Sequence, residues 1–126
     1  MRLFNKIVPY ALALIFFASG AAKLAGLEFE IAAFENWGYP LWFMYLVGVI
    51  EVGGALLLLV PRLSGLAAGG LALFMTGAVG THIIHAEWGM LIIATTIMAL
   101  SARHAWLGLA DTQAVTHRLP RQLGVE

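Results

Sequence analysis

Cysteine is absent from the 126-residue chain, which removes disulfide staples, thiolate metal sites and any dithiol relay carried by the chain itself. Direct thiol–disulfide chemistry is therefore excluded. Charge is scarce too: Asp, Glu, Lys and Arg make up 11% of residues, and seven basic side chains balance seven acidic ones. A nucleic-acid binder needs a basic surface to neutralise phosphates, so that partner class is excluded as well. What fills the chain instead is apolar, with 61% hydrophobic residues and a mean hydropathy of +0.88. Such a composition takes the lipid bilayer as its solvent. The length suits one compact unit without a second domain.

Four apolar stretches stand out, 7–26, 41–60, 63–84 and 88–109. Each meets the requirement of about 20 residues for a membrane-spanning helix. Only Pro61-Arg62 separates the second from the third, and only His85-Ala86-Glu87 the third from the fourth, so consecutive helices are expected to be antiparallel neighbours. None of the runs alternates apolar with polar residues, and a helix satisfies its own backbone groups in lipid, so the spans are read as helices rather than strands. The predicted fold is all-α, a four-helix transmembrane bundle over 1–110 with a short interfacial segment between helices one and two. Residues 111–126 are predicted to be a polar cytoplasmic tail. The first run, preceded by Arg2 and Lys6 and followed by small residues, has some features of a signal peptide. It runs well past a usual h-region, and it is read as helix one.

Basic residues set the expected orientation. Arg2 and Lys6 precede the first span, Arg62 lies between the second and third, and Arg103, Arg118 and Arg121 end or follow the fourth. The positive-inside rule then puts both termini in the cytoplasm of a multi-pass protein of the cell (inner, cytoplasmic) membrane. Glu28, Glu30, Glu35 and Glu87 fall on the other side. Trp37, Trp42 and Trp88 mark the outer interface, and Tyr10 and Trp106 lie near the inner one.

The connection 27–40 interleaves Leu27, Phe29, Ile31, Phe34 and Trp37 with Glu28, Glu30, Glu35 and Asn36, which suits a short helix lying in the outer interface. Gly38-Tyr39-Pro40 is expected to stop it. It reads either as an anchoring loop or as a lid over the outer mouth of the bundle. In the third span Gly65-xxx-Gly69, Thr76-xxx-Gly80 and Gly77-xxx-Thr81 are small-residue pairs that predict close helix packing, within the chain or against a second copy.

Glu51 is the residue that most needs an explanation. It sits mid-span, where insertion of a central carboxylate costs roughly 2.5–3.5 kcal/mol, and residues of that kind face a bundle interior, a cavity or a charged partner. Lys23 is the one basic residue away from the ends and connections of the spans, and it shares a helical face with Ser19. Reaching inward, it meets Glu51. The pair reads either as a buried ion pair fixing helix packing or as a polar site for a small molecule or proton. His82 and His85, three apart at the outer end of the third span, form a second constellation with Glu87. Metal sites want three or four ligands, so no metal is expected, and interfacial histidines satisfied by water are the simpler reading. Lys23, Trp37, Trp42, His82, His85 and Glu87 are expected in one leaflet with Glu51 beneath them, in a cleft suited to a quinone headgroup, a lipid or a partner helix.

The run from Phe17 to Leu24, then Gly38-Tyr39-Pro40, then Gly48-Val49-Ile50-Glu51-Val52-Gly53-Gly54 and Pro61-Arg62, resembles the DoxX-like family of small four-span membrane proteins. The resemblance implies a shared scaffold more than a shared activity, since its members include an oxidoreductase subunit, partners in oxidative-stress complexes and a receptor chaperone. Two functions follow as expectations. One is an accessory or assembly subunit in the bilayer, associated with a quinone-linked redox complex and a membrane partner or a second copy. The other is a protein that handles a quinone, another small molecule or a proton at Lys23 and Glu51. No cofactor motif is evident, and a quinone is the cofactor class such a cleft would suit.

Overall fold

The computed structural model describes residues 1–122, with side chains described as far as Asp111. Five helices follow one another: α1 Arg2–Leu24, α2 Glu28–Trp37, α3 Leu41–Leu58, α4 Ser64–Ile84 and α5 Trp88–Gln122. The protein is all-α, a polytopic helical bundle. Four segments are long and apolar enough to cross a membrane, namely α1, α3, α4 and α5 from Trp88 to Asp111. The tail predicted from 111 continues the last helix to Gln122, and its final residues, 123–126, lie outside the described residues.

Short turns hold the elements in place. At the end of α1 the Leu27 amide reaches the Ala22 carbonyl at 3.2 Å across Gly26, which takes a positive φ of 65°. The end of α2 repeats the pattern, with Tyr39 N–H donating to Phe34 O at 2.9 Å across Gly38 at φ 81°. Both are Schellman caps, for which glycine is suited because it has no Cβ to clash in the left-handed region. The end of α4 has the same cap, with Glu87 N–H on His82 O at 2.9 Å, but Ala86 occupies the left-handed position at φ 55°.

The bundle is built from two tight pairs, α1 with α3 and α4 with α5, joined by thinner contacts of α3 with α4 and α1 with α5. In the first pair a Cβ on Gly20 would stand 2.8 Å from Gly48 O, so the two backbones touch there. In the second, a Cβ on Gly108 would lie 3.2 Å from the Cα of Gly65. Packing through Gly65 and Gly69 is thus in place, Gly69 lying against Ala105. The other small pairs of that span behave differently: a Cβ on Gly77 or Gly80 would meet nothing within 4 Å. Gly77 faces a cavity, so small size there leaves space rather than bringing a helix close.

Toward the end that carries Arg62 and Arg103, the space between helices is filled by Leu12, Phe16, Leu58, Ala68 and Leu71, all buried. Ser64 Oγ and His104 Nε2, 2.7 Å apart, tie α4 to α5 there, and the Arg103 guanidinium lies 5.0 Å over the Phe4 ring. At the α2 end a smaller cluster of Phe34, Met44 and Val47 seats the short helix on α3.

Candidate functional site

Lys23 is the centre of the first polar group. Its ammonium donates to Ser19 Oγ at 2.8 Å, one turn back along α1, and lies 3.1 Å from Glu51 Oε1 on α3 and 3.4 Å from Glu30 Oε1 on α2. The lysine therefore reaches inward rather than snorkelling out. Gly20 and Gly48 make this geometry. With no side chain at either position the helices meet closely enough for the Glu51 Cβ to come within 2.9 Å of where a Gly20 Cβ would be, and the lysine stem spans the rest. Lys23 and Glu51 are both buried, so each charge has a partner where water is excluded.

A second group lines the facing wall. Glu87 Oε1 accepts from Trp37 Nε1 at 2.9 Å and from His82 Nδ1 at 3.0 Å. The α4 cap makes the latter contact local, because the same five-residue turn that joins Glu87 N–H to His82 O returns the carboxylate to the imidazole. Thr81 donates its hydroxyl proton to Gly77 O at 2.9 Å, so the Tyr39 phenol, 2.7 Å away, is the donor to Thr81 Oγ1. Trp37 Nε1–H and Tyr39 O–H thereby tie α2 and its turn to α4 and α5. Hydrogen bonds from Trp37 and from His82, which carries the larger effect, hold the Glu87 carboxyl below its ordinary value of 4.5.

Between the two groups lies a cavity of about 490 Å³, bounded by all five helices. Its apolar lining is buried at Phe16 and Met75 and exposed at Ile15 and Ile93, where it opens between α1 and α5, and its polar lining is Ser19, Lys23, Glu30, Glu51, Thr81, His82 and Glu87. An aromatic group lines the α2 end. Phe34 meets Trp37 at a tilt at 5.2 Å and Tyr39 edge-on at 6.1 Å, Tyr39 lies 5.4 Å from Phe43, and Trp37 meets His82 edge-on at 5.7 Å. This is a partly open cleft with a small number of placed polar groups, the usual form of a small-molecule site.

Of the residues singled out in the sequence, Lys23, Glu51, Trp37, His82 and Glu87 converge on this cavity. Trp42 does not. It projects from α3 on the exposed surface, away from the cavity lining, and meets Phe43 edge-on at 5.9 Å. His85 also stays outside, its Nδ1 donating to Thr81 O at 2.8 Å, so the two histidines of the constellation point to different partners. Among the described residues no group of three His, Cys, Asp or Glu side chains converges as metal ligands do. Glu30, Tyr39 and Thr81 belong to the site and were not singled out. Glu30 looked like one of several interfacial acids. Its seven-residue spacing from Lys23 across a glycine-capped turn was the available signal.

Comparison with known proteins places the chain. The profile of the DoxX-like family matches residues 7–103. The chain is also similar to an uncharacterized protein of Bacillus subtilis, YdgD, with 28% identity over 98 residues, covering 75% of this chain and 86% of the relative. No solved structure matches it.

Proposed function

The chain belongs to the DoxX-like family, and from that premise we propose that it is a membrane accessory protein that holds a small amphiphilic molecule inside the α2 half of its bundle. The observation that carries this reading is the cavity of about 490 Å³, apolar in depth and polar at Lys23, Glu51, His82 and Glu87. That volume falls within the range of roughly 300–1,000 Å³ typical of ligand sites. The aromatic lid on α2 is anchored by hydrogen bonds that release without unfolding a span, which suits entry from the interface. A protein of this kind stores or presents its ligand to a membrane partner. The quinone-linked complex implied by the resemblance is one such setting. A quinone, the cofactor class expected for the cleft, offers carbonyl acceptors, and Lys23 would have to turn from its 3.4 Å contact with Glu30 to meet them.

The proposed orientation puts the α2 end outside the cell membrane and both termini in the cytoplasm, supported by Arg2, Lys6, Arg62 and Arg103 at the opposite end. Cysteines placed singly at Glu35, which is exposed, and at Gln113 report it: an impermeant thiol reagent labels Glu35→Cys in intact cells. Labelling at Gln113→Cys alone reverses the assignment. For the cavity itself, protein purified in mild detergent and examined by native mass spectrometry carries a bound amphiphile, and Ala78→Phe, which fills the cavity from α4, loses it. Equal occupancy in the two proteins refutes the site.

A further inference from the structure

We propose that the cavity takes a monovalent organic cation with an apolar body, its charged head resting among Glu51, Glu30 and Glu87. The inference rests on the cavity reading above and names the ligand class.

The donors of Lys23, Trp37, Tyr39 and Thr81 at the cavity are already committed: Lys23 to Ser19, Glu30 and Glu51, Trp37 to Glu87, and Tyr39 to Thr81, whose own proton goes to Gly77 O. The contacts of Lys23, Trp37 and His82 with the three carboxylates end on Oε1. A carboxylate offers about four lone-pair sites, so acceptor capacity is what remains for a ligand. A guest that brings only acceptors competes with the protein for its donors. One that brings N–H groups or positive charge does not.

Charge leads to the same class. Three carboxylates, Glu30, Glu51 and Glu87, face one ammonium, Lys23, and His82 adds a second positive charge only when protonated. The deeper two share Lys23 between them, with side-chain exposures of 13% for Glu30 and 7% for Glu51. An unpaired charge in so dry a place is costly, and a guest cation removes the imbalance. Phe34, Trp37, Tyr39 and Phe43 line the cavity, and aromatic rings attract a cation seated over their faces through their quadrupoles. The apolar depth of the cavity suits the organic body of such a guest better than a hydrated metal ion.

The full chain in detergent micelles, tested by calorimetry with tetraphenylphosphonium and with the neutral triphenylphosphine oxide of similar shape, decides the matter. The cation is expected to bind at least about tenfold more tightly than the oxide, and Glu51→Gln to weaken the cation about tenfold or more without a matching loss for the oxide. Should Glu51→Gln fail to fold by thermal unfolding, Glu30→Gln carries the same expectation. If the oxide binds as tightly as the cation and Ala78→Phe blocks both, the inference falls while the cavity reading stands. If neither compound binds, or the cation binds equally to wild type, Glu30→Gln and Ala78→Phe, both fall.

Discussion

The two halves of the bundle are built from the same four long helices, yet one is filled and the other hollow. At the end with Arg62 and Arg103, Leu12, Leu58, Ala68 and Leu71 close the space between helices, and the polar contact of Ser64 with His104 supplements that packing. At the α2 end the helices part around a cavity, and charged groups join a smaller packed cluster as the link between them. The filled half follows ordinary burial. The hollow half is held by Lys23, Glu51, Glu30, His82 and Glu87, which cost more to bury and specify more narrowly where each helix sits.

The largest test of that contrast is Lys23→Met. It strands Glu51 and Glu30 without their cation, and loss of one partner of a buried pair costs about 3–5 kcal/mol. A loss of about 3 kcal/mol, the lower end, is expected because a stranded carboxyl can take a proton; unfolding in mixed micelles measures it. Glu51→Gln is expected to cost less than Glu51→Leu, since the amide still accepts from Lys23. Equal stability of Lys23→Met and wild type would make the polar half as indifferent to its charges as the filled half.

Next in size is the backbone contact that places the pair. Gly20→Ala sets a methyl 2.8 Å from Gly48 O, and overpacking of that kind costs about 1–3 kcal/mol. Gly80→Ala, which meets nothing, is expected to be neutral or stabilising by up to about 1 kcal/mol through helix propensity. Similar losses at both would erase the distinction between contact glycines and open ones.

Smaller still is Ala86→Gly. Alanine in the left-handed region costs roughly 1–2 kcal/mol, and glycine returns part of this to entropy, so a net gain of about 0.5–1 kcal/mol is expected in the same assay. The smallest effect is one of pH. The folded Glu87 carboxyl is held below its ordinary value of 4.5, so its contribution to stability is present above that value and is lost as pH falls through the lower folded value. Trp37 fluorescence is expected to change in that acidic window as the lid contact weakens, and Glu87→Gln to abolish the change.

The number of long apolar helices, the short helix between the first two and its stop at Gly38 were legible in the sequence because hydropathy and glycine placement act locally. Lys23 and Glu51 were legible for the same reason, as charges that a bilayer does not admit without a partner. Less visible was which glycines bring helices together. Gly77 and Gly65 look alike in the chain, yet one faces a cavity and the other Gly108, a distinction set by how α4 is rotated against its neighbours. Tyr39 and Thr81, 42 positions apart, carried no local sign of their bond. Trp42 carried the marks of an interfacial anchor and gave no sign of whether its face of α3 would turn toward the cavity or, as found, to the exposed surface.

The two helix pairs are pinned at opposite ends, α1 to α3 at Gly20 and Gly48 beside the charges, α4 to α5 at Gly65 and Gly108 far from them. The Gly65–Gly108 crossing is a point about which α4 can change its angle to α5, far from the aromatic group. From Gly65 to Thr81 the arm is about 24 Å at 1.5 Å per residue, so a tilt of about 5° moves Thr81 by about 2 Å. A change of angle that small, directed away from Tyr39, would break the Tyr39–Thr81 hydrogen bond while Lys23 and Glu51 stay where their own crossing holds them.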